Sequence, residues 1–197
     1  VEIQSGIQFY DGITTAEIQE ILIKSASDLI DLDNPNYQYV AARLLLFSLR
    51  KSLYGKIREL PHLESQIMGC TSYDVYDKEI FTKYSKEEID KANTFIDHER
   101  DFLFTYAGLR QVVDKYLVQD RSTGQAYETP QFMYIMIALT IFQNYPKEKR
   151  LNYVRRYYDA ISKHKLNIPT PIMAGVRTPL RQFASCVLVD IDDTLDS

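Results

Sequence analysis

A chain of 197 residues is long enough to bury a real core in one or two domains. Its 45% hydrophobic and 25% charged content excludes a disordered or fibrous protein, and a net charge of −4 argues against a nucleic-acid-binding surface. It contains no run of about twenty apolar residues and no basic–apolar–small leader, so no membrane span or secretory signal is expected, and the cytoplasm is the expected compartment.

The first predicted element is a helix over about 15–31. Thr14-Thr15-Ala16-Glu17 has the capping-box spacing, a hydroxyl followed three residues later by a carboxylate that can return to the cap amide. Ile18, Ile21, Leu22, Ser25 and Leu29 then repeat at helical spacing. Asp33-Asn34-Pro35 offers a cap and a first-turn proline for a second helix through Val40, Leu44, Phe47 and Leu49. Gly55 should end it, with Arg50 and Lys51 near its negative end. Pro61 opens a short segment to Met68, and Ser85-Lys86-Glu87-Glu88 is a second capping box, predicting a helix through Ile89, Ala92, Phe95 and Ile96.

His98-Glu99-Arg100-Asp101 is a polar helix face or an end-of-helix ion pair, because one histidine without a second ligand pair is a weak metal signal. Residues 116–118 and 126–128 flank the turn-rich Asp120-Arg-Ser-Thr-Gly124 and predict a β-hairpin. Pro130 begins an apolar helix over 132–142, too short for a membrane and therefore core. The stretch 147–163 is amphipathic, with Leu151, Val154, Tyr158 and Ile161 on one side and basic residues on the other.

The segment 166–187, L-N-I-P-T-P-I-M-A-G-V-R-T-P-L-R-Q-F-A-S-C-V, is the most informative. Pro169, Pro171 and Pro179 remove backbone donors and restrict their predecessors, which predicts a rigid irregular loop. It offers hydroxyls at Thr170, Thr178 and Ser185 and cationic forks at Arg177 and Arg181 that suit an anionic ligand. Cys186 opens the apolar, β-branched run Cys-Val-Leu-Val-Asp-Ile, predicted to be a buried strand. On its own such a cysteine is a small buried hydrophobe. Cys70 and Cys186, the two cysteines, make neither a disulfide scaffold nor a zinc site.

The blocks P-T-P-I-M-A-G-V-R-T-P, R-Q-F and S-C-V-L closely resemble the large (α) subunit of class I ribonucleotide reductases, Ia-like. So do I-Q-F-Y-D-G-I at 7–13, Y-Q-Y-V-A-A-R at 37–43, F-I-D-H-E-R-D at 95–101 and K-Y-L-V-Q-D-R at 115–121, in the same order. Family members are several times longer, so the resemblance implies an N-terminal portion. The implied fold is mainly α with a small β-hairpin, leading into the first strand of a ten-stranded α/β barrel. Residues 1–55 would be the later part of an ATP-cone regulatory domain, 56–165 a helical domain, and 166–197 the substrate loop and first barrel strand.

The resemblance also implies site residues. Cys186 would be one of a redox pair that delivers two electrons as the 2′-hydroxyl of a ribonucleoside diphosphate leaves. Its pair partner, a third radical-bearing cysteine and the acid–base carboxylate have no counterpart here. Thr170 would meet the substrate diphosphate and Ser185 would lie beside the substrate. Asp193, Thr194 and Leu195 would belong to the specificity site at the α-homodimer interface. Thr15 and Lys51 fall where the family's activity site contacts a nucleotide, although most of that site's contacts would precede Val1. Without the resemblance, Thr15 is a helix-start hydroxyl and Lys51 a cation complementing a helix end. No cofactor would be bound directly; ATP, dATP and other deoxynucleotides would be effectors. Implied partners are the small (β) subunit with its diiron–tyrosyl radical, a second α subunit, the remaining barrel, and thioredoxin or glutaredoxin as reductant. The segment alone is expected to be inactive. Leu180 and Ala184 stand where relatives often carry small hydroxylated residues, which removes none of these contacts.

Two other functions compete. Val187-Leu-Val-Asp-Ile-Asp-Asp-Thr-Leu195 also carries the D-x-D-x-T opening of haloacid-dehalogenase-type phosphatases, with Asp190 as nucleophile, Asp192 as general acid/base and magnesium held between them. Such a domain needs further motifs downstream. The third reading is a helical interaction module without catalysis.

Overall fold

The structure, a computed structural model, describes residues 1, 5, 6 and 8–189. Helix α1 (Thr15–Ser27) starts as the sequence predicts. Thr14 accepts from the Glu17 amide, and the Glu17 carboxylate accepts from the Thr14 amide at 2.8 Å. It ends at Ser27, four residues short of the expected limit. Helix α2 (Tyr37–Tyr54) ends at Gly55 as expected, with φ 67°, a left-handed conformation that favours glycine. Its start is later than expected. Asp31 Oδ1, not an Asn34 cap, takes the Asn34 amide at 2.6 Å, and residues 35–36 form a turn before the helix proper.

Helix α3 (Leu63–Ser72) is capped by His62, and α4 (Ile80–Lys83) is a single turn. Helix α5 (Lys86–Asn93) has its full Ser85–Glu88 capping box but stops before Phe95 and Ile96. A 3₁₀ turn (His98–Leu103) leads to α6 (Tyr106–Gln111), which runs into a wide π-helical turn (Val112–Tyr116). Helices α7 (Pro130–Phe142) and α8 (Lys147–Ser162) follow, and then α9 (Thr170–Gly175).

Helix α7 is the centre of the molecule. Every residue from Pro130 to Leu139 is buried, which is what an all-round apolar helix requires. Around it sit Leu45, Leu46 and Leu49 of α2, Leu63 and Ile67 of α3, and Val154, Tyr158 and Ile161 of α8. Helix α2 packs on α1 along one side and on α6 and the 3₁₀ turn along another. No helix among the described residues is long and apolar enough to cross a membrane.

The predicted β-hairpin is reduced to one antiparallel bridge, Gln119 with Ala126. Tyr127 N donates to Val118 O and Asp120 N to Gln125 O, both at 2.9 Å. The ladder ends there because the Val118 amide is taken by the Glu128 carboxylate at 2.7 Å, and Asp120 Oδ1 turns the chain by accepting from Ser122 N at 2.8 Å. The proline-rich segment is not wholly irregular either. Pro169 caps α9 and Pro171 lies in its first turn, where a missing amide costs nothing. The predicted buried strand does not form over 186–189. These residues are exposed, Leu188 completely, and no second strand among the described residues pairs with them.

Polar residues inside the core join the helices. Arg150, expected on the solvent side of α8, turns inward. It pairs with Glu88, donates to Lys83 O at 2.6 Å, and lies 4.1 Å over the Tyr84 ring. Asp101 is buried and accepts from Arg50 Nη2 of α2 and Gln131 Nε2 of α7, both at 2.9 Å. Tyr158 of α8 donates to Gln131 Oε1 at 2.7 Å and accepts from Asp97 N at 2.9 Å. The 95–101 motif is therefore a junction of four elements; it holds the local ion pair Asp97–Arg100 at 3.2 Å and adds the long-range pairs Asp101–Arg50 and Arg100–Asp159.

His98 sits beside this junction, edge-on to Phe132 with ring centroids 4.9 Å apart and Nδ1 buried without a partner. Burial, and then the Arg50 charge, lower its pKa from 6.5 to about 4, against a smaller opposing effect of Asp97. A depressed histidine is neutral in the fold and binds its proton more readily when unfolded, so it stabilises above pH 6.5 and that stability is lost as pH falls toward 4. Denaturant unfolding of the chain and of His98→Gln should therefore diverge by roughly 2–3 kcal/mol between pH 7 and pH 4, the variant losing less. Parallel pH profiles would refute the assignment.

Candidate functional site

Residues 166–189 carry the predicted chemistry, and they are fastened to the helical body at several points. Arg177 is 1% exposed, so it is no phosphate ligand on the surface, contrary to the expectation. Its guanidinium pairs with buried Glu128, Nε lying 3.0 and 3.1 Å from the two carboxylate oxygens and Nη2 also reaching Oε1. Nη2 donates to Tyr116 O at 2.8 Å and Nη1 to Met173 O. Glu128 Oε2 accepts from the hydroxyl of buried Tyr76 at 2.5 Å. Such an anion inside the protein is tolerable only with a paired cation and full hydrogen bonding, and here it has both.

Arg181 is half exposed and bridges Asp77 Oδ2 and Glu79 Oε2 at 2.5 Å each, so its charge too is spent on protein carboxylates. The Asp77 amide donates to Arg177 O at 2.9 Å. Gly175 lets the chain fold back on α9: a Cβ there would lie 3.3 Å from Leu180 O. Thr178 Oγ1 donates to Gly175 O at 2.9 Å and stays local.

Thr170 opens α9 and is exposed, its Oγ1 3.4 Å from the Tyr116 hydroxyl. Ser185 and Cys186 are exposed side by side, with Oγ and Sγ 3.8 Å apart. A hollow of about 360 Å³ lies between the 117–121 segment and the loop, lined among others by Leu117, Arg121, Pro171 and Thr178. Neither Thr170 nor Cys186 lines it. Asp193, Thr194 and Leu195, and the phosphatase pair Asp190 and Asp192, lie outside the described residues.

At the other end of the molecule, Thr15 is exposed at the start of α1. Lys51 lines a surface hollow of about 610 Å³ with Phe47, Lys56, Ile57 and Arg58, and Thr15 is not part of its wall. Cys70, expected to be an unrelated thiol, is buried. Its Sγ is 3.1 Å from Gln66 Nε2 and donates to Tyr127 O at 3.4 Å. Burial, then the Glu128 charge, push its pKa up to about 12 and leave it protonated and inert.

His62, Glu64 and Asp90 bring ligand atoms within 4.8 Å of one another. Their donors are already engaged: His62 Nδ1 accepts from the Glu64 amide, and Lys86 pairs with Glu64. A diiron centre draws on several inward-facing carboxylates and histidines from facing helices, and this trio, with one histidine exposed and two half-buried carboxylates, does not fit one.

Glu128, Tyr76 and Asp77 were missed in the sequence. Glu128 is 49 residues from Arg177 and sits in an ordinary polar stretch, so no local signal marks the pair.

The described residues form an all-α domain followed by a proline-stiffened segment that carries an exposed thiol. Residues 102–181 match the family described as "Ribonucleotide reductase, all-alpha domain". Over the whole chain, 53% of 197 residues are identical to "Ribonucleoside-diphosphate reductase 1 subunit alpha" of Escherichia coli (strain K12), covering 26% of that protein. Identity is 52% to the subunit alpha of Haemophilus influenzae and 47% over 198 residues to that of Enterobacteria phage T4, each again over 26% of the relative. The chain belongs to the class I ribonucleotide reductase large-subunit family and corresponds to the N-terminal portion of its members. It spans about a quarter of the length of the curated relatives it matches.

Proposed function

We propose that the chain serves, within a whole large subunit, in reducing ribonucleoside diphosphates to 2′-deoxyribonucleoside diphosphates. The observation that carries this reading is identity above one half along the full chain to a protein named for that reaction. The accessible Ser185–Cys186 pair at the end of an anchored loop supports it.

In this reading Cys186 and a second thiol, supplied by the remainder of the barrel, each give up a proton and an electron. A disulfide forms between them, the 2′ C–O bond breaks, hydrogen replaces the hydroxyl and water leaves. Exchange with thioredoxin or glutaredoxin restores the dithiol. The Thr170 hydroxyl meets the diphosphate and Ser185 lies beside the sugar. The radical that starts the reaction comes from the diiron–tyrosyl centre of the small subunit, and none of the residues described here holds it. Asp193, Thr194 and Leu195 read the specificity effector across an α-homodimer, and Thr15 and Lys51 contribute to the activity-effector site.

The test is CDP and ADP reduction by the whole subunit with a class I small subunit and thioredoxin. Deoxynucleotide formation that needs both subunits is the expected result, with none from residues 1–197 alone. A whole subunit that binds the small subunit yet forms no product would overturn the proposal. The phosphatase and non-catalytic readings gain nothing from the relatives.

A further inference from the structure

We propose that Arg177 is a positioning residue for the reaction, its guanidinium fixing Thr170 relative to the helical body through Glu128, on the segment that leads to Cys186. This rests on the reductase reading of the same segment. Arg177 lies between the two, seven residues after Thr170 and nine before Cys186.

Its planar fork is used on three sides at once. One side holds Met173 O, a carbonyl of the short helix that Thr170 opens. Another holds Tyr116 O, and the Tyr116 hydroxyl lies 3.4 Å from Thr170 Oγ1. The third meets Glu128, which is fully buried and fixed independently by the Tyr76 hydroxyl and the Val118 amide. Moving α9 and Arg177 away from the body breaks the contacts to Tyr116 and Glu128 together. On the Cys186 side, the Arg177 carbonyl accepts from Asp77, and Arg181 bridges Asp77 and Glu79, so the segment is fastened as far as Arg181.

A lysine has one ammonium and no fork, and cannot serve three acceptors in this geometry. A hydroxyl and a thiol that act on one nucleotide must be held to within a fraction of an ångström, and a misplacement of about 1 Å costs on the order of a hundredfold in rate.

Loss of Arg177 alone would leave Glu128 charged and unpaired, and any loss of activity would then reflect misfolding. The discriminating variant is the double replacement Glu128→Leu/Arg177→Met in the whole subunit. It removes both charges with similar volume and leaves the Tyr76 hydroxyl and the Val118 amide without their acceptor, a smaller cost than an unpaired buried charge. Circular dichroism and melting confirm the fold, and two readouts follow. In CDP reduction with the small subunit, kcat/KM is expected to fall about a hundredfold, with KM raised as well as kcat lowered. In hydrogen exchange, amides of 170–187 are expected to exchange at least tenfold faster while α7 and α8 stay protected.

Arg177→Lys, which keeps the charge on Glu128, should melt near the wild type and recover only part of the activity. A folded double variant with unchanged kinetics and unchanged exchange overturns the proposal. If the wild-type subunit itself makes no deoxynucleotide, the reductase reading falls, and the exchange readout alone decides whether Arg177 fixes the segment. If the double variant does not fold, Arg177→Lys carries the same two readouts, and wild-type behaviour there likewise overturns it.

Discussion

Cys186→Ser in a whole large subunit is expected to abolish sustained deoxynucleotide formation, whereas Cys70→Ser leaves it within about twofold of wild type. The two thiols differ in access. Cys186 is exposed beside Ser185, free to approach a second sulfur. Cys70 is 3% exposed, enclosed by Gln66 and the Tyr127 carbonyl, and held protonated by burial and by the Glu128 charge. Exchange requires a thiolate and access, and Cys70 has neither. Serine at 186 cannot form a disulfide, so the electrons for loss of the 2′-hydroxyl are missing, and residual turnover should fall by on the order of a thousandfold or more. Ellman's reagent gives a parallel check on residues 1–197: one thiol at pH 8 in the native chain, two after denaturation. Sustained turnover by Cys186→Ser, or fast labelling of native Cys70, would defeat the assignment.

What could be read in advance follows the range of the interaction. The capping boxes at Thr14–Glu17 and Ser85–Glu88, the glycine stop at Gly55 and the buried α7 are specified within one or two turns of chain, and all of them form. The hairpin is another matter. Residues 116–128 have strand-like alternation, but Glu128 takes the Val118 amide that would have continued the ladder, because it must be paired with Arg177, 49 residues away. Local propensity gave way to the cost of a buried carboxylate.

The same distance explains why the sequence offers Arg177 only as a candidate cation for an anionic ligand. An arginine among prolines and threonines looks solvated, and nothing nearby in the sequence reveals a buried counter-charge. The run Cys186-Val-Leu-Val189 was legible as apolar, but a strand needs partners to satisfy its backbone. Between 186 and 189 it finds none, which leaves Leu188 fully exposed. The proposed site residues are reached only through the resemblance to a family, since Thr170 and Ser185 are ordinary hydroxyls by spacing alone.

The largest stability effect is expected at the other buried ion pair. Arg50→Met should destabilise the chain by about 3–5 kcal/mol, a large share of the roughly 5–15 kcal/mol that holds a domain folded. Asp101 is 1% exposed, and Arg50 is its cationic partner, Gln131 supplying the other hydrogen bond. Burial already raises the Asp101 pKa from 3.8 to about 6 even with Arg50 pulling it down. An acid raised in the fold binds more protons folded than unfolded, so its stabilising contribution is complete below pH 3.8 and is lost as pH rises through 6. Removing Arg50 raises the folded value further, and the loss of stability should therefore be small near pH 4, where Asp101 is protonated in both proteins, and full at pH 8.

Arg50→Met/Asp101→Leu should regain most of it at pH 8, since the uncompensated charge is gone. Denaturant titrations of the three variants at pH 4.5 and 8 measure both effects. An equal loss at the two pH values would mean that Arg50 acts by packing on Phe102, 5.4 Å from its guanidinium, rather than by charge. The pair also joins α2 to the 3₁₀ turn and, through Gln131, to α7. Arg50 precedes Lys51 on α2, while Asp101 is tied through Gln131 to α7, the helix against which α9 and its Thr170 pack. A shift of α2 along its axis must break this pair, so the stability cost of Arg50→Met sets the scale for that movement.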